Sequence, residues 1–459
     1  MPASSHPAGA TLGTAEVLAL APTHEPHADP LGDLRHRMQR SGQWHDGQMA
    51  GQRWPVACVS LEITQRCNLD CTLCYLSESS EAVRDLPLEE VFRRIDLIVA
   101  HYGRGTDVQV SGGEPTLRRR DELIQIVERI AQRGLRASLF TNGIKASREL
   151  LSELAHAGLT DVAFHVDMTQ QRAGFANEAA LNTLRGEYIE RARGLGLGVF
   201  FNTTVHAANA HEVPMLAAYF KAQADLVRFV SFQLQAQTGR GLLGARTGAI
   251  TNDSVAAQLC AGVGTPLHFN TLLAGHHDCN RSAVVLVING QAYDAFDDEN
   301  FIRRFMRETA RLQIDRGTQW RALRSLVKAA LSRPALVLAS LRWVFAFAWR
   351  AKRDLIAARG RIHKLTLFTH NFMDACSLDR ERIDACVFMA VTQHGPMSMC
   401  AYNAKRDHYL LQPLATSKGE WQPLAQQVQP IKFLKGRARE AWLQARRDVA
   451  GKAPAEASS

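Results

Sequence analysis

The sequence has no apolar stretch long enough to cross a bilayer as a helix. The strongest candidate, Pro334 to Trp349, is interrupted by Arg342 and falls short of the ~20 residues a span needs. Residues 1–54, rich in Ala, Pro, His and Gly, lack the basic start and continuous apolar core of a signal peptide; the run Ala15 to Ala21 is too short and carries Glu16. A disulfide framework is also missing. The nine cysteines include a tight trio with metal-binding spacing, and oxidised thiols cannot ligate a metal, so a reducing, cytoplasmic setting is expected. Acidic residues are scarce in one segment. From Phe301 to Lys364, sixteen Lys/Arg face only Glu308, Asp315 and Asp354, an excess of +13 in a chain of net +9, which leaves −4 elsewhere. An acidic partner is to be sought there.

What is present starts with the trio. Cys67, Cys71 and Cys74 stand at C-x3-C-x2-C, directly after the strand-like run Val56 to Thr64 and just before Tyr75. Thiolates favour iron–sulfur clusters, zinc or Cu(I). Zinc wants a fourth ligand nearby, but Asp70 and Glu78 are hard oxygen donors and the nearest histidine is His101. Three thiolates on a four-iron cluster leave one iron free to bind a small molecule. A zinc knuckle or a chance cysteine cluster remains the other reading of the trio alone.

Downstream, helix and strand signals alternate. Helical periodicity or caps mark residues 87–103, 119–134, 147–157, 178–193 and 211–224. Strands are expected at 107–111, 136–140, 161–166, 198–205 and 226–234, giving six with the first. Such alternation predicts right-handed βαβ units and a parallel sheet, whose chemistry gathers at the carboxyl ends of the strands. The polar motifs fall there: the cysteine loop, then Gly112-Gly113-Glu114-Pro115, Thr141-Asn142-Gly143 and Asp167, with Asn202 and Gln233 on the fifth and sixth strands.

The cysteine loop resembles that of the radical S-adenosylmethionine (SAM) enzymes, and Gly112-Gly113-Glu114-Pro115 resembles their GGEP motif. The resemblance implies a [4Fe–4S] cluster on Cys67, Cys71 and Cys74, and SAM contacts from Gly112, Gly113, Glu114, Thr141, Asn142, Asp167 and Asn202. It also implies a reduced donor of flavodoxin or ferredoxin type. The fold it implies is α/β: a partial (β/α)6 TIM-like barrel with a carboxyl-terminal α+β extension. The GGEP carboxylate suits the SAM ammonium, and the two glycines permit close backbone approach. No residue is assigned to the substrate chemistry.

The pieces Phe372-Met373-Asp374-Ala375, Asp379-x-x-Arg382-x-x-x-Cys386 and Cys400-Ala401-Tyr402-Asn403 resemble the carboxyl-terminal module of the class D radical SAM methyltransferases and tetraether lipid synthases. That resemblance implies an auxiliary iron centre on Cys279, Cys386 and Cys400, with Cys260 a further candidate and His276 or His277 helping. Buried small hydrophobes are the plain alternative for scattered cysteines. The basic segment, with Trp343 and Trp349 in its apolar centre, suits a helix lying in an anionic membrane surface or packed in the core. Nucleic acid is disfavoured, because the aromatics sit apart from the charge.

The expected organisation is a disordered or loosely ordered segment (1–50), the core (51–240) and a cysteine-containing extension (241–300 and 360–430). A basic, apolar-centred helical insertion (301–359) and a basic tail (431–459) complete it. The expected function is generation of a 5′-deoxyadenosyl radical for C–C bond formation or methylation on a lipid or apolar substrate, at the cytoplasm or the inner membrane face. Peptide or protein maturation is the alternative, and a non-enzymatic iron–sulfur regulator a third reading with no use for GGEP.

Overall fold

A computed structural model describes residues 11–240, 250–310 and 332–424, with Trp320, Arg324 and Val327 between the last two stretches. The expected tail (431–459) lies outside the described residues, as does most of 311–331 in the expected insertion.

Six strands, β1 (Cys58–Thr64), β2 (Asp107–Gly112), β3 (Arg136–Thr141), β4 (Leu159–His165), β5 (Gly198–Val205) and β6 (Val227–Leu234), stand in chain order, all parallel. Helices Leu88–Tyr102, Arg120–Gln132, Arg148–His156, Asn182–Ala192 and Val213–Ala222 connect them. Each expected strand and helix of this core is present, to within a few residues at its ends. Apolar residues on the helices' inner stripes, such as Ile95, Ile98, Leu123, Ile126 and Leu154, pack on Val59, Leu61, Val108, Val110 and Leu139 of the sheet. This burial supplies the main stabilisation of such a layer.

The parallel run is longer than the six strands expected. Beyond β6 come β7 (Asn280–Ile288), β8 (Gln291–Asp294), β9 (His363–Asn371) and β10 (Phe388–Thr392). Strand β9 lies parallel beside β6, and β10 parallel beside β1, so eight adjacent strands run one way. Antiparallel β7–β8 continues the sheet beyond β9, and β11 (Gly395–Ser398) continues it beyond β10, for eleven strands in all. The barrel does not close by hydrogen bonds. Side chains bridge the gap instead, with Phe368 of β9 6.0 Å and His370 4.4 Å from the ring of Phe388. The extension is thus built into the core's own sheet.

The amino-terminal segment needs a correction. From residue 11 it is ordered, with helices at Thr14–Ala19 and Pro30–Arg40. Leu34 and Met38 bury against Ala385 and Val387, and Leu12 packs with Met373, Leu378 and Cys400. A few apolar residues in a polar, Pro-rich context are enough once the carboxyl-terminal module supplies their partners. No described helix is long and apolar enough to cross a membrane.

Candidate active site at the carboxyl ends of the strands

The cysteine loop leaves β1 and is pinned on several sides. Thr72 donates its backbone N–H to Thr169 O (2.9 Å), Tyr75 its hydroxyl to Gly112 O (2.7 Å), and Asn142 its side-chain amide to Asn68 Oδ1 (2.7 Å). Arg240 donates to Cys74 Sγ (3.4 Å) and pairs with Asp70 (3.3 Å). Burial pushes the Cys67 thiol up to about 11 and the Cys71 thiol well above its ordinary value, the neighbouring cysteines adding to both. These thiols keep their protons until a metal displaces them.

The trio fits a cluster better than a single ion. Thiolates around one zinc at ~2.3 Å would lie ~4 Å apart. Among the described residues, the His/Cys/Asp/Glu group whose ligand atoms all lie within 4.8 Å is His276, His277 and Asp278, and the trio is not in it. Its three sulfurs therefore do not all lie within one ion's shell.

The two glycines at the end of β2 have a steric reason. A Cβ on Gly112 would sit 2.0 Å from Thr64 O, and one on Gly113 2.2 Å from Arg66 O. They let the second strand end cross against the root of the cysteine loop. The Glu114 carboxylate is fully buried. It accepts from Thr116 N (3.1 Å), Thr116 Oγ1 (2.6 Å), Thr141 Oγ1 (2.7 Å) and Asn142 N (2.7 Å). Its expected role as a partner for an ammonium is therefore corrected. The side chain braces the ends of β2 and β3.

Asp167 is corrected in the same way. It is fully buried and accepts from Thr169 N (3.0 Å), Thr204 N (2.7 Å) and His165 Nε2 (2.6 Å). Burial alone would raise its carboxyl, but His165 and these donors hold it well below the usual carboxylate range. The side chain that reaches the cavity is His165, which sequence reasoning missed. Its signal was present: it lies two residues after Ala163 on β4, and both face the cavity by the strand's period of two.

That cavity, of about 180 Å³, lies inside the barrel. Leu73 and Tyr75 of the cysteine loop line it, as do His165, Asn202 and Gln233. Its aromatic side is continuous: Phe200 to Phe229 and Phe229 to Phe368 are each 5.4 Å between ring centres, and Phe388 follows at 6.0 Å. Asn202 lines the cavity, whereas Thr141 bonds Glu114 and Asn142 bonds Glu114 and the cysteine loop.

Cys279, Cys386 and Cys400 come together across more than a hundred residues of sequence. They line one small buried space with His276, His370, Met373 and Arg382. Arg382 donates to Cys279 Sγ (3.3 Å), Met373 N to Cys400 Sγ (3.4 Å), and the Cys386 thiol to Phe388 O (3.1 Å). Cys260 is not with them: it packs beside the main core near Leu267. His277 is also outside this space, bonded to Gln43 (2.8 Å) and Asp278 (3.1 Å). His370, Phe372 and Phe388 line both this space and the large cavity, so the two share a wall.

Burial holds His370 neutral, with its imidazole lowered to about 3, and Arg382 adds to the effect. The unfolded chain takes up this proton near pH 6.5 and the folded chain does not. Unfolding free energy should therefore fall as pH drops below about 6.5, by up to ~1.4 kcal/mol per pH unit from this group, until about pH 3. Denaturant titrations from pH 7 to pH 4 should show the slope, and His370→Gln should flatten it. An equal slope in the variant would remove His370 as its source.

Residues 61–218 match the Radical SAM superfamily. The chain is 28% identical over 188 residues to a 7,8-dihydro-6-hydroxymethylpterin dimethyltransferase of Methanocaldococcus jannaschii, covering 40% of this chain and 37% of that protein. It is 32% identical over 166 residues to a PqqA peptide cyclase of Bradyrhizobium diazoefficiens (35% and 42%). An Fe-coproporphyrin III synthase of Methanosarcina barkeri is 29% identical over 218 residues (46% and 52%). The chain thus spans about two-fifths to a half of the length of these relatives. Similar solved structures include Streptococcus suis SuiB (13% identity, TM-score 0.34, 44% of this chain and 45% of that one) and anSMEcpe with bound AdoMet (20%, 0.34, 45% and 58%). Over residues 61–218, with its cysteine trio at the end of β1, the chain carries a radical SAM domain, of the family that uses a [4Fe–4S] cluster and S-adenosylmethionine.

Proposed function

We propose that the protein is a radical SAM enzyme acting on a C–H bond of a lipid or other apolar-bodied substrate, for methylation or C–C bond formation. The observation that carries this reading is the cavity, where the cysteine loop's Leu73 and Tyr75 meet the aromatic run Phe200, Phe229, Phe368 and Phe388. Cys67, Cys71 and Cys74 would hold the cluster, with the backbone at Gly112–Gly113 and the side chain of Asn202 beside the bound SAM. When bound, these cofactors supply the reductive cleavage that activates an unactivated carbon. An external donor of flavodoxin or ferredoxin type belongs to the same reading.

The chain's own residues hold and shield. The aromatic wall excludes water and seats apolar surface, while His165, Asn202 and Gln233 offer hydrogen bonds to a polar group on the substrate. Asp167 fixes His165 Nε2 by its 2.6 Å bond while the imidazole lines the cavity.

Reduced, cluster-loaded protein should convert SAM to methionine and 5′-deoxyadenosine; no such products would return the chain to a non-enzymatic iron–sulfur role. Extracts from cells grown in heavy water identify the substrate class. Deuterium should enter 5′-deoxyadenosine with the lipid fraction. Entry only with the peptide fraction would favour peptide maturation instead, the reading supported by the likeness to PqqA peptide cyclases.

Cys279, Cys386 and Cys400, with His276, are proposed as an auxiliary iron site. The room among them is about 10 Å³, about that of one atom, and their ligand atoms do not all lie within 4.8 Å of one another, so a single ion would have to draw them together. A chain lacking the loop cysteines should keep about one iron, and Cys279→Ala with Cys400→Ala should then remove it. Iron-free protein after the loop change alone would make these cysteines structural.

A further inference from the structure

The helix Pro334–Arg350 is seated on the edge of the sheet by a narrow inner face. Phe347 and Ala351 pack with Ile288 and Ala358, and Trp343 stacks between Phe301 (5.7 Å) and Phe347 (5.6 Å) while donating to Asp297 (3.2 Å). Trp343 is thus an anchor to the protein. The opposite face is uncovered. Leu338 is 61% exposed, Phe345 71% and Trp349 73%, with Leu341 and Val344 about half exposed. Leu338, Leu341, Phe345 and Trp349 recur at intervals of three and four, which puts them in one stripe.

Basic groups border the stripe. Arg342 is exposed four residues after Leu338, and Arg353 is exposed beyond its end. Lys352 lies over the Trp349 ring at 3.7 Å, and Ile356, 78% exposed, extends the apolar surface into the next helix, Lys352–Ala357.

We infer that this face is a docking surface for an anionic lipid bilayer, with the helix lying in the interface. Its apolar ridge is convex and rimmed by long basic side chains, which suits a surface that yields around the ridge while the charges stay at headgroup level. Charge decides against a second copy. A two-fold dimer through this patch would face the patch with itself, setting exposed Arg342, Lys352 and Arg353 of one copy against those of the other. An anionic surface attracts those same charges. The inference goes beyond the proposed reaction and does not depend on it, because binding is measured without turnover.

The test is co-sedimentation of the full chain with phosphatidylcholine vesicles, with and without phosphatidylglycerol. Binding should favour the anionic vesicles and weaken as salt shortens the Debye length from ~10 Å at 0.1 M to ~3 Å at 1 M. Lys352→Glu with Arg353→Glu should cost at least ~30-fold in partitioning at low salt, from ~1 kcal/mol per basic group lost near the surface and the repulsion of the new carboxylates. Leu341→Ser, Phe345→Ser and Trp349→Ser together should remove the salt-resistant part, at least ~tenfold.

Should the triple variant misfold, the unaltered chain still reports. Its Trp emission should be quenched by brominated acyl chains, and that quenching should shrink in Trp349→Phe. Equal, negligible sedimentation with both vesicle types at low salt would overturn the inference. So would quenching unchanged in Trp349→Phe, or lipid-free dimerisation that the serine substitutions abolish.

Discussion

Changing Cys67, Cys71 and Cys74 together to Ala should remove about four irons per chain from anaerobically reconstituted protein and abolish formation of 5′-deoxyadenosine. The expected loss is complete, because no other described thiol lines this part of the structure: Cys279, Cys386 and Cys400 occupy their own space behind the shared wall at His370 and Phe388. The variant should still fold. The loop is held by the bonds of Thr72 to Thr169, Tyr75 to Gly112 and Asn68 to Asn142, none of which uses a cysteine. Iron content and SAM cleavage by chromatography read the two effects separately. A folded variant that retains its full iron and still makes 5′-deoxyadenosine would overturn the assignment of the trio.

The second large effect is on stability. Arg406 and Glu62 are both almost wholly buried, with Arg406 Nη1 at 2.6 and 2.7 Å from the two carboxylate oxygens. Tyr402 OH (3.0 Å) and Gln65 Nε2 (2.8 Å) also donate to Glu62, and the guanidinium lies over the rings of Tyr75 (4.6 Å) and Tyr402 (4.7 Å). This group ties the carboxyl-terminal Cys400-Ala401-Tyr402-Asn403 stretch to β1 and to the aromatic residue of the cysteine loop. Arg406→Met leaves Glu62 charged, buried and without its cation, a loss of ~3–5 kcal/mol. Adding Glu62→Gln should recover a large part, since the uncompensated charge carries most of the cost. Denaturant unfolding of the two single variants and the double measures it. A loss below ~1 kcal/mol for Arg406→Met would mean the pair is solvated in the folded chain.

The sequence made the core legible because two signals coincide there. Periodicities of 3.6 and 2 alternate from Val56 to Leu234, and each polar motif falls at a strand's carboxyl end. The two parallel strands beyond the sixth were hidden for a topological reason. Strand β9 is separated from β6 by the β7–β8 hairpin and the long basic segment, and β10 reaches its place only by pairing with β1. Neighbour relations of that kind leave no local periodicity.

Side-chain roles were harder to read than positions. Glu114 and Asp167 sit where a ligand was expected, yet burial turns both inward as braces. Asp167's partner His165 takes the place at the cavity, on the same face of β4 as Ala163. The cysteines divide similarly. Cys279, Cys386 and Cys400 meet because they flank β7, β10 and β11 of the one sheet, while Cys260 on the helix Asn252–Val263 is carried elsewhere. Likewise, the apolar centre at 334–349 gave both tryptophans equal standing, whereas packing against Phe301 and Asp297 turned Trp343 in and left Trp349 out.

The pairing of β1 with β10 also has a consequence for how the protein is made. Cys58 stands opposite Phe388, about 330 residues later in the chain. At ~5–20 residues per second, ribosomal synthesis leaves β1 without this neighbour for roughly 17–66 s. For most of that time the metal-binding loop has been translated, while Arg406, which packs on its Tyr75, and Tyr402, which with Arg406 bonds Glu62, are still to come. Non-local closure of this kind is slow. Metal loading during synthesis would meet a loop not yet packed by these residues, and loading after release would meet one whose Tyr75 is already held under Arg406. The order of these two events therefore sets how much of the newly made protein acquires its iron.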